Sequence, residues 1–534
     1  METRRAGLVL ALLALAYVVL GFNRGLSIYD EAIPVMAAER ILEGDRPYRD
    51  FWVIYPPGQL YLLAALFKVF GASLIVARLA SVTAIFATSL LMYGMARQLR
   101  LPVSLALLAA GLWTAAVGAI AGATLGAGIL TALALGLASA ALLLRFRREP
   151  RPAWLATGGF ALGITCLFRH DIGAFLLLAE TVFLAATLEK GTRVDVVHAA
   201  RSFGLYLAAA AGPVVVAVAL LLASGVPGGH LVDALVVYPF TGYVAGRSLP
   251  LPPLIPDIGA LQAGGISVVQ YAAGLRTGLR FYFPVVVLLL VTAVLGIRRR
   301  ATLASERWPV VFVASIGLCL LPYAWVNSDL AHIVPAWAPA LLLFAWLLHQ
   351  LPGRGGLRVA GLAAGVVWSL VFVWGALGAK TDALVGSLLG PSGLPLDPPR
   401  GAHIVAGLDA APMRAAIRYV QSVVPPEERI FVGNARHDSL VLNDVMFYFL
   451  AGRRSGTRYH ELVPGVATTV EVQTRIVQDL ERHRVRYVVL RADPGYVPSP
   501  AGARTLDAFI QERFARTETF GHYSIWRRRE QDRP

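Results

Sequence analysis

Long uninterrupted apolar runs dominate the pattern of this chain. They fall at about residues 6–22, 74–96, 103–118, 122–144, 154–168, 173–188, 202–223, 281–297, 309–325, 333–350 and 356–378. An α-helix rises about 1.5 Å per residue and the hydrocarbon core of a bilayer is about 30 Å thick, so runs near 18 residues predict membrane-crossing helices. The expected class is a polytopic α-helical membrane protein with about eleven transmembrane helices. The short neighbours 154–168 and 173–188 leave open a division into fewer spans. The first run follows Arg4 and Arg5, lacks a small-x-small cleavage site and continues into Phe22-Asn23-Arg24, which predicts an uncleaved first membrane helix. The stretch 57–70 (PGQLYLLAALFKVF) is also apolar, but it is short and carries Lys68, so it suits a helix lying at the interface.

Charge sets the expected orientation. Placing Arg4 and Arg5 in the cytoplasm also places there Arg97 and Arg100; Arg145, Arg147, Arg148 and Arg151; Lys190, Arg193 and Arg201; Arg298 to Arg300 with Arg307; and Arg354 with Arg358. Basic residues concentrate in cytoplasmic loops, and each alternate turn agrees. If 57–70 crossed the membrane, those basic loops would flip outside. The outer side then receives residues 23–73, a turn at 169–172, the loop 224–280, the turn 326–332 and everything after about 379. The expected location is the inner (plasma) membrane, with a cytoplasmic N-terminus and an extracytoplasmic C-terminal domain.

Composition sharpens this picture in two places. The 534 residues are 57% hydrophobic and 15% charged, with a net charge of +15 and a mean hydropathy of +0.62. That basic excess sits in short loops between apolar runs, which argues against nucleic acid as a partner. Cys166 and Cys319 both lie in apolar runs, where they pack as small apolar residues and make neither a metal framework nor a disulfide scaffold.

The pattern changes after Lys380. A Pro/Gly-rich stretch, Gly390 to Pro399, leads into sequence with frequent charges. Helical spacing at 411–423, 470–484 and 504–516 alternates with strand-like runs at 429–432, 486–490 and 522–527. The expected organisation is a membrane domain over 1–379, a linker over 380–400 and a small α/β domain over 401–534. No internal repeat is visible.

Candidate chemistry gathers in the expected outer turns. Asp30 and Glu31 follow the first membrane helix. One of them can act as general base on an acceptor hydroxyl, both can help hold a divalent cation, or they can cap a helix over 31–42. Arg24, Arg49 and Arg78 are candidates for gripping a phosphate, or for lipid headgroup contacts. Arg169 and Asp171 occupy one turn, and Asn327-Ser328-Asp329 with His332 another; membrane-edge charges of this kind either face a functional cavity or cap the following helix. Glu180, alone in its apolar run, is expected to find a partner inside the bundle. The loop 224–280 carries Tyr238, Phe240, Tyr243, Arg247 and a proline-rich run, suited to a lid over a site or to an aromatic belt at the interface.

The order of motifs over residues 23–80 resembles the start of a GT-C glycosyltransferase. It comprises the acidic pair, a helix ending in Gly-x-x-Pro-Tyr (Gly44, Pro47, Tyr48), an aromatic run into Pro56 and Pro57, an apolar helix ending at Phe70 and Gly71, and Ala77-Arg78-Leu79. The resemblance is to the branch holding the lipid A aminoarabinose transferases and the protein O-mannosyltransferases. It implies an inverting transfer outside the cytoplasm, from a polyprenyl-phosphate sugar to a lipid, glycan or protein acceptor. It places Asp30 at the acid–base position. The aminoarabinose enzymes have a Lys just before the proline of this segment; here Tyr55 stands there, so the cation for the donor phosphate must come from elsewhere. No cofactor is required by these residues, and a divalent metal is compatible with them. The competing function is a lipid or polysaccharide transporter or flippase, for which repeats and mid-membrane charges would be the signs; a third is a structural membrane subunit whose C-terminal domain binds a partner.

Overall fold

A computed structural model describes residues 2–120, 128–188, 193–297, 304–351, 353, 355–390, 393–439, 442–463, 465–492 and 502–529. Lys190, Arg298 to Arg300, Arg354, Pro391 and Ser392, and the first residues of the 122–144 run, lie outside the described residues, as do the side chains of Arg193 and Arg247.

Each predicted apolar run contains a helix among its described residues. In chain order the helices are α1 (Glu2–Val19), α2 (Ala32–Leu42), α3 (Pro57–Phe70), α4 (Leu74–Gln98), α5 (Val103–Ile120), α6 (Ile129–Arg148), α7 (Pro152–Phe168), α8 (His170–Leu188) and α9 (Arg193–Ala223). Four short helices follow, α10 (Gly228–Val232), α11 (Tyr238–Phe240), α12 (Gly242–Arg247) and α13 (Ile258–Gln262), then α14 (Val268–Ile297), α15 (Ala304–Leu320), α16 (Leu330–His349) and α17 (Gly356–Leu389). Among the described residues, seven helices are long and apolar enough to cross a membrane. They belong to α4, α6, α9, α14, α15 with the turn after it, α16 and α17. The protein is a multi-pass membrane protein. The other four predicted runs form α1, α5, α7 and α8.

Apolar side chains facing one another hold this bundle together. Its core runs from Leu10 on α1 through Trp113, Leu133, Leu176, Phe312 and Leu341 to Phe372 on α17. One buried acid inside it is paired. Glu180 is fully buried and accepts a bond from Ser139 at 2.6 Å, with Tyr206 also donating to it, so α6, α8 and α9 meet around one carboxylate. Helix α3 buries Leu60, Leu63, Ala64 and Phe67 and leaves Tyr61, Val69 and Phe70 exposed. That one-sided burial fits a short surface helix.

Two boundaries differ from expectation. Helix α14 begins at Val268 rather than 281, so the last part of the expected loop is helical. Helix α17 runs unbroken to Leu389, so the segment beyond 380 is helix before it is linker.

The C-terminal part contains the short pair β1 (Leu394–Pro395) and β2 (Val405–Ala406), helix α18 (Ala411–Val423), β3 (Arg429–Asn434), α19 (Val445–Ala451), β4 (Arg454–Ser455), α20 (Val470–Arg482), β5 (Tyr487–Arg491), α21 (Thr505–Arg513), β6 (Phe514–Phe520) and β7 (Tyr523–Arg528). One sheet has the order β4-β3-β5-β7-β6. Strand β3 is parallel to β4 and β5, and the β6–β7 hairpin adds antiparallel strands beyond β5. Helix α21 stops at Arg513, so the end of the predicted helix 504–516 is the start of β6.

One cluster of this domain, around Phe431, Ile476, Val488 and Phe514, is built almost wholly from its own residues, whereas a second is shared with the segment before α4. Ala32, Val35 and Met36 of α2 and Leu60 and Phe67 of α3 pack in one cluster with Ile430, Val432, Phe447 and Phe449. The segment between the first membrane helix and α4 is therefore built into the α/β domain, and it joins that domain to the membrane bundle.

Candidate active site

The turn 43–52 is shaped by one buried arginine. Arg40 donates to Asp45 Oδ2 at 2.8 Å, to the carbonyl of Asp50 at 3.0 Å and to that of Thr457 at 3.1 Å. Tyr48 takes a positive φ of 67° and is buried, with its hydroxyl donating to the Tyr55 carbonyl at 2.8 Å. From the α/β domain, Arg458 donates to the Tyr48 carbonyl at 2.7 Å and its own carbonyl accepts from the Trp52 amide at 3.1 Å. The Gly-x-x-Pro-Tyr motif is thus a rigid bracket that sets the direction of residues 52–58.

That bracket delivers Tyr55 to the end of α7. Gly58 lies against it so closely that a Cβ would stand 2.6 Å from the Leu167 carbonyl oxygen, an approach only glycine permits. The Arg169 guanidinium lies 6.0 Å from the centre of the Tyr55 ring and 5.1 Å from that of Tyr323, in cation–π range. Arg169 is held by a two-pronged pair with Asp171, at 2.5 and 3.1 Å. Tyr323 stacks on His332 at 5.6 Å between ring centres.

His332 is itself tightly oriented. Its Nδ1 lies 2.8 Å from Asp329 Oδ1, which also caps α16 by accepting the His332 amide at 2.9 Å. Asn327 lies 3.3 Å from Nε2 and donates to the Tyr243 hydroxyl at 2.5 Å. With Asn327 donating to Nε2, the ring proton sits on Nδ1 and faces Asp329. Burial pushes the Asp329 carboxyl up, but its bonds with His332 outweigh this and hold it below the usual carboxylate range. Tyr243 leads to Tyr238 at 6.4 Å and Tyr238 to Trp52 at 5.2 Å. Residues far apart in sequence therefore converge: Tyr55, Arg169, Asp171 and His332, all singled out from the sequence, with Tyr323 added. The aromatics Tyr238 and Tyr243 are part of this packing, whereas Phe240 is exposed.

The acidic pair does not act as a unit. Glu31 is buried, and Arg78 grips it at 2.5 and 2.8 Å while donating to the carbonyls of Phe22, Arg24 and Gly25. Both expectations for these two residues are corrected: Glu31 is not exposed for catalysis, and the Arg78 guanidinium is spent on holding the chain between the first helix and α2. Glu31 is the N-cap residue of α2 without a side-chain cap bond. Asp30 is exposed, and its amide donates to Ser27 Oγ at 3.1 Å. The neighbouring Tyr29 hydroxyl accepts from Arg491 at 2.9 Å, which ties this loop to β5.

The other expected phosphate ligands part ways. Arg49 pairs with Asp50 at 2.8 and 2.9 Å and lines a cleft on the α/β domain. Arg24 packs its guanidinium against Gly386 of α17, and among the described residues that guanidinium has no hydrogen-bond or ion-pair partner. One cation was missed in the sequence. Arg280 on α14 is buried, lies 4.8 Å over the Trp337 ring, and among the described residues its Nε and Nη2 have no hydrogen-bond partner. The signal for it in the sequence is a basic residue at the very edge of the apolar run 281–297.

Among the described residues no three His, Cys, Asp or Glu side chains form a group that could hold a metal ion.

The sequence matches no family model and no curated protein. Solved structures are similar in fold. The oligosaccharyltransferase AglB from Archaeoglobus fulgidus, in complex with an inhibitory peptide and a dolichol-phosphate, is 12% identical, covers 99% of this chain and 75% of its own, and has a TM-score of 0.52. ArnT from Cupriavidus metallidurans bound to undecaprenyl phosphate is 12% identical, with 97% of each chain covered and a TM-score of 0.54. The arabinofuranosyltransferase AftD from Mycobacteria is 14% identical and covers 99% of this chain but 40% of its own, with a TM-score of 0.51. At these identities the likeness is one of architecture, and it spans membrane bundle and α/β domain together: the chain has the GT-C fold.

Proposed function

We propose that the protein is an inverting glycosyltransferase that moves a sugar from a polyprenyl-phosphate donor to an acceptor hydroxyl, at the membrane face carrying the α/β domain and outside the cytoplasm. The observation that carries this reading is the convergence of Tyr55, Arg169 with Asp171, and Tyr323 with His332 and Asp329 at that face. Such convergence of oriented polar groups beside apolar helices suits a substrate with a charged head and a lipid tail. The shared fold with proteins seen holding dolichol-phosphate and undecaprenyl phosphate supports it further.

In the proposed reaction the acceptor oxygen attacks C1 of the sugar. The bond from C1 to the phosphate oxygen breaks, and its electron pair leaves with the polyprenyl phosphate. The acceptor proton passes to a carboxylate, for which Asp30 is the candidate, being exposed on a loop that Glu31 and Arg78 anchor. The leaving phosphate is already a stabilised anion and needs cations rather than an acid. Arg280 and Arg24, unpaired among the described residues, are the candidates. Arg169 and Asp171 bind and orient substrate with Tyr55 and His332.

The test is transfer of labelled sugar from polyprenyl-phosphate donors in membranes holding equal amounts of each protein. Wild type transfers and Asp30→Asn loses about 10²-fold or more, the usual scale for a general base. Near-normal transfer by Asp30→Asn would remove Asp30 as base. Absence of transfer with every donor, and of any polyprenyl phosphate released from the purified protein, would overturn the function.

A further inference from the structure

A second cleft, of about 520 Å³, lies between the turn 45–50 and helix α20 of the α/β domain. Six arginines line it against three aspartates. Arg40 pairs with Asp45, Arg49 with Asp50 and Arg482 with Asp479. Arg475 pairs with Glu471 on its own helix at 2.6 Å. Arg429 and Arg458 remain; among the described residues neither guanidinium pairs with an acid, while the Arg458 amide donates to Asp479 Oδ2 at 3.0 Å. Arg429 donates to the Ser455 carbonyl at 2.8 Å, and the buried Nε of Arg458 has no partner among the described residues. A bound oxyanion would meet these two guanidinium groups with charge-assisted bonds.

The lining also limits what that oxyanion is attached to. Every lining residue is polar or charged, Tyr459 included, so the cleft offers no apolar wall to an acyl or prenyl chain. Its volume is that of a small-ligand site, within the usual range of about 300–1,000 Å³. Its inner wall is shared with the candidate active site. Tyr459 packs in one cluster with Trp52 and Tyr238, and Tyr238 leads through Tyr243 to Asn327 and His332.

We propose that this cleft is an acceptor subsite for an acidic glycan, in which Arg429 and Arg458 hold the carboxylate of a uronic acid residue. The inference rests on the glycosyltransferase reading for its word acceptor, and on the cleft alone for its anion. The experiment is direct binding to the full chain in detergent, by calorimetry, with tri-galacturonic acid, maltotriose and inorganic phosphate as probes. Tri-galacturonic acid should bind, more weakly as salt rises, and about tenfold more weakly to Arg429→Gln, whose melting temperature should match wild type. Maltotriose should not bind, and phosphate at equal concentration should not displace the trisaccharide. Equal binding by wild type and Arg429→Gln, equal binding of the two trisaccharides, or displacement by phosphate would each overturn the proposal. Failure of uronate binding in a protein that still transfers sugar to a neutral acceptor sinks the cleft alone. Uronate binding that depends on Arg429, without any sugar transfer, sinks the glycosyltransferase reading and leaves the anion site standing.

Discussion

Asp30 and Glu31 are neighbours with opposite expected roles, and substitution separates them. Arg78 makes five hydrogen bonds: two to Glu31 and three to the carbonyls of Phe22, Arg24 and Gly25. Both side chains are nearly inaccessible, at 4% and 6% of their exposed area, so neither charge can turn to water if its partner goes. Removing one partner of such a buried pair costs about 3–5 kcal/mol, mostly from the charge left behind. Arg78→Met belongs at the upper end, because it also strands three carbonyls; Glu31→Gln belongs at the lower end, because the amide oxygen still accepts from Arg78. At a few degrees per kcal/mol, Arg78→Met should lower the melting temperature by roughly 6 °C or more. The double variant Glu31→Leu with Arg78→Met should recover much of the loss, since no charge then remains buried. Asp30→Asn should leave melting unchanged while transfer falls by about 10²-fold. The assay heats detergent-solubilised protein in steps, measures the fraction still monodisperse, and measures sugar transfer on unheated membranes. Wild-type melting by Arg78→Met would refute the buried-pair account. Equal melting losses for Asp30→Asn and Glu31→Gln would refute the division of roles.

Other expectations follow from single residues. A reporter active only outside the cytoplasm, fused after Arg528, should be active; activity of a cytoplasm-only reporter there would reverse the topology. Arg280→Gln should weaken binding of polyprenyl phosphate by about tenfold, with melting unchanged or raised because an unpaired buried charge is gone; unaltered lipid affinity would remove Arg280 from the phosphate site. Burial pushes the carboxyl of Asp444 up to about 6, against the opposing bond from Tyr523. A carboxyl raised in the folded state holds its proton more tightly there, so it costs stability as pH rises from about 4 to about 6 and no more above that. The cost is about 3 kcal/mol in order of magnitude, from the two-unit difference. Asp444→Asn should therefore gain melting temperature over wild type at pH 7 and little at pH 4.5; a difference independent of pH would refute this.

What was legible in the sequence, and what was not, follows from which features are local. Among the described residues each apolar run holds a helix, because a membrane span is defined by its own composition. Convergence of Tyr55, Arg169, Asp171 and His332 was legible too, because counting spans put their turns on one face before any contact was known. Helix α19 was not, since Val445 to Ala451 is buried all round and shows no period to distinguish helix from strand. Strand β6 was hidden for the opposite reason: Ala515 to Thr519 is polar and mostly exposed, held in the sheet only by its hairpin with β7. The partners of the charges were the least legible of all. The place of Arg78 at the membrane edge suggests a phosphate ligand or a headgroup contact, yet the group that claims it lies 47 residues earlier. Arg280 was passed over at the edge of its run, yet it is the buried guanidinium whose Nε and Nη2 find no bond among the described residues. Composition states that a cation is near the membrane; only the fold states whether its charge is already neutralised. That distinction separates anchors from candidates: a guanidinium bound to a carboxylate holds the chain, whereas one whose nitrogens lack a bond can take a phosphate.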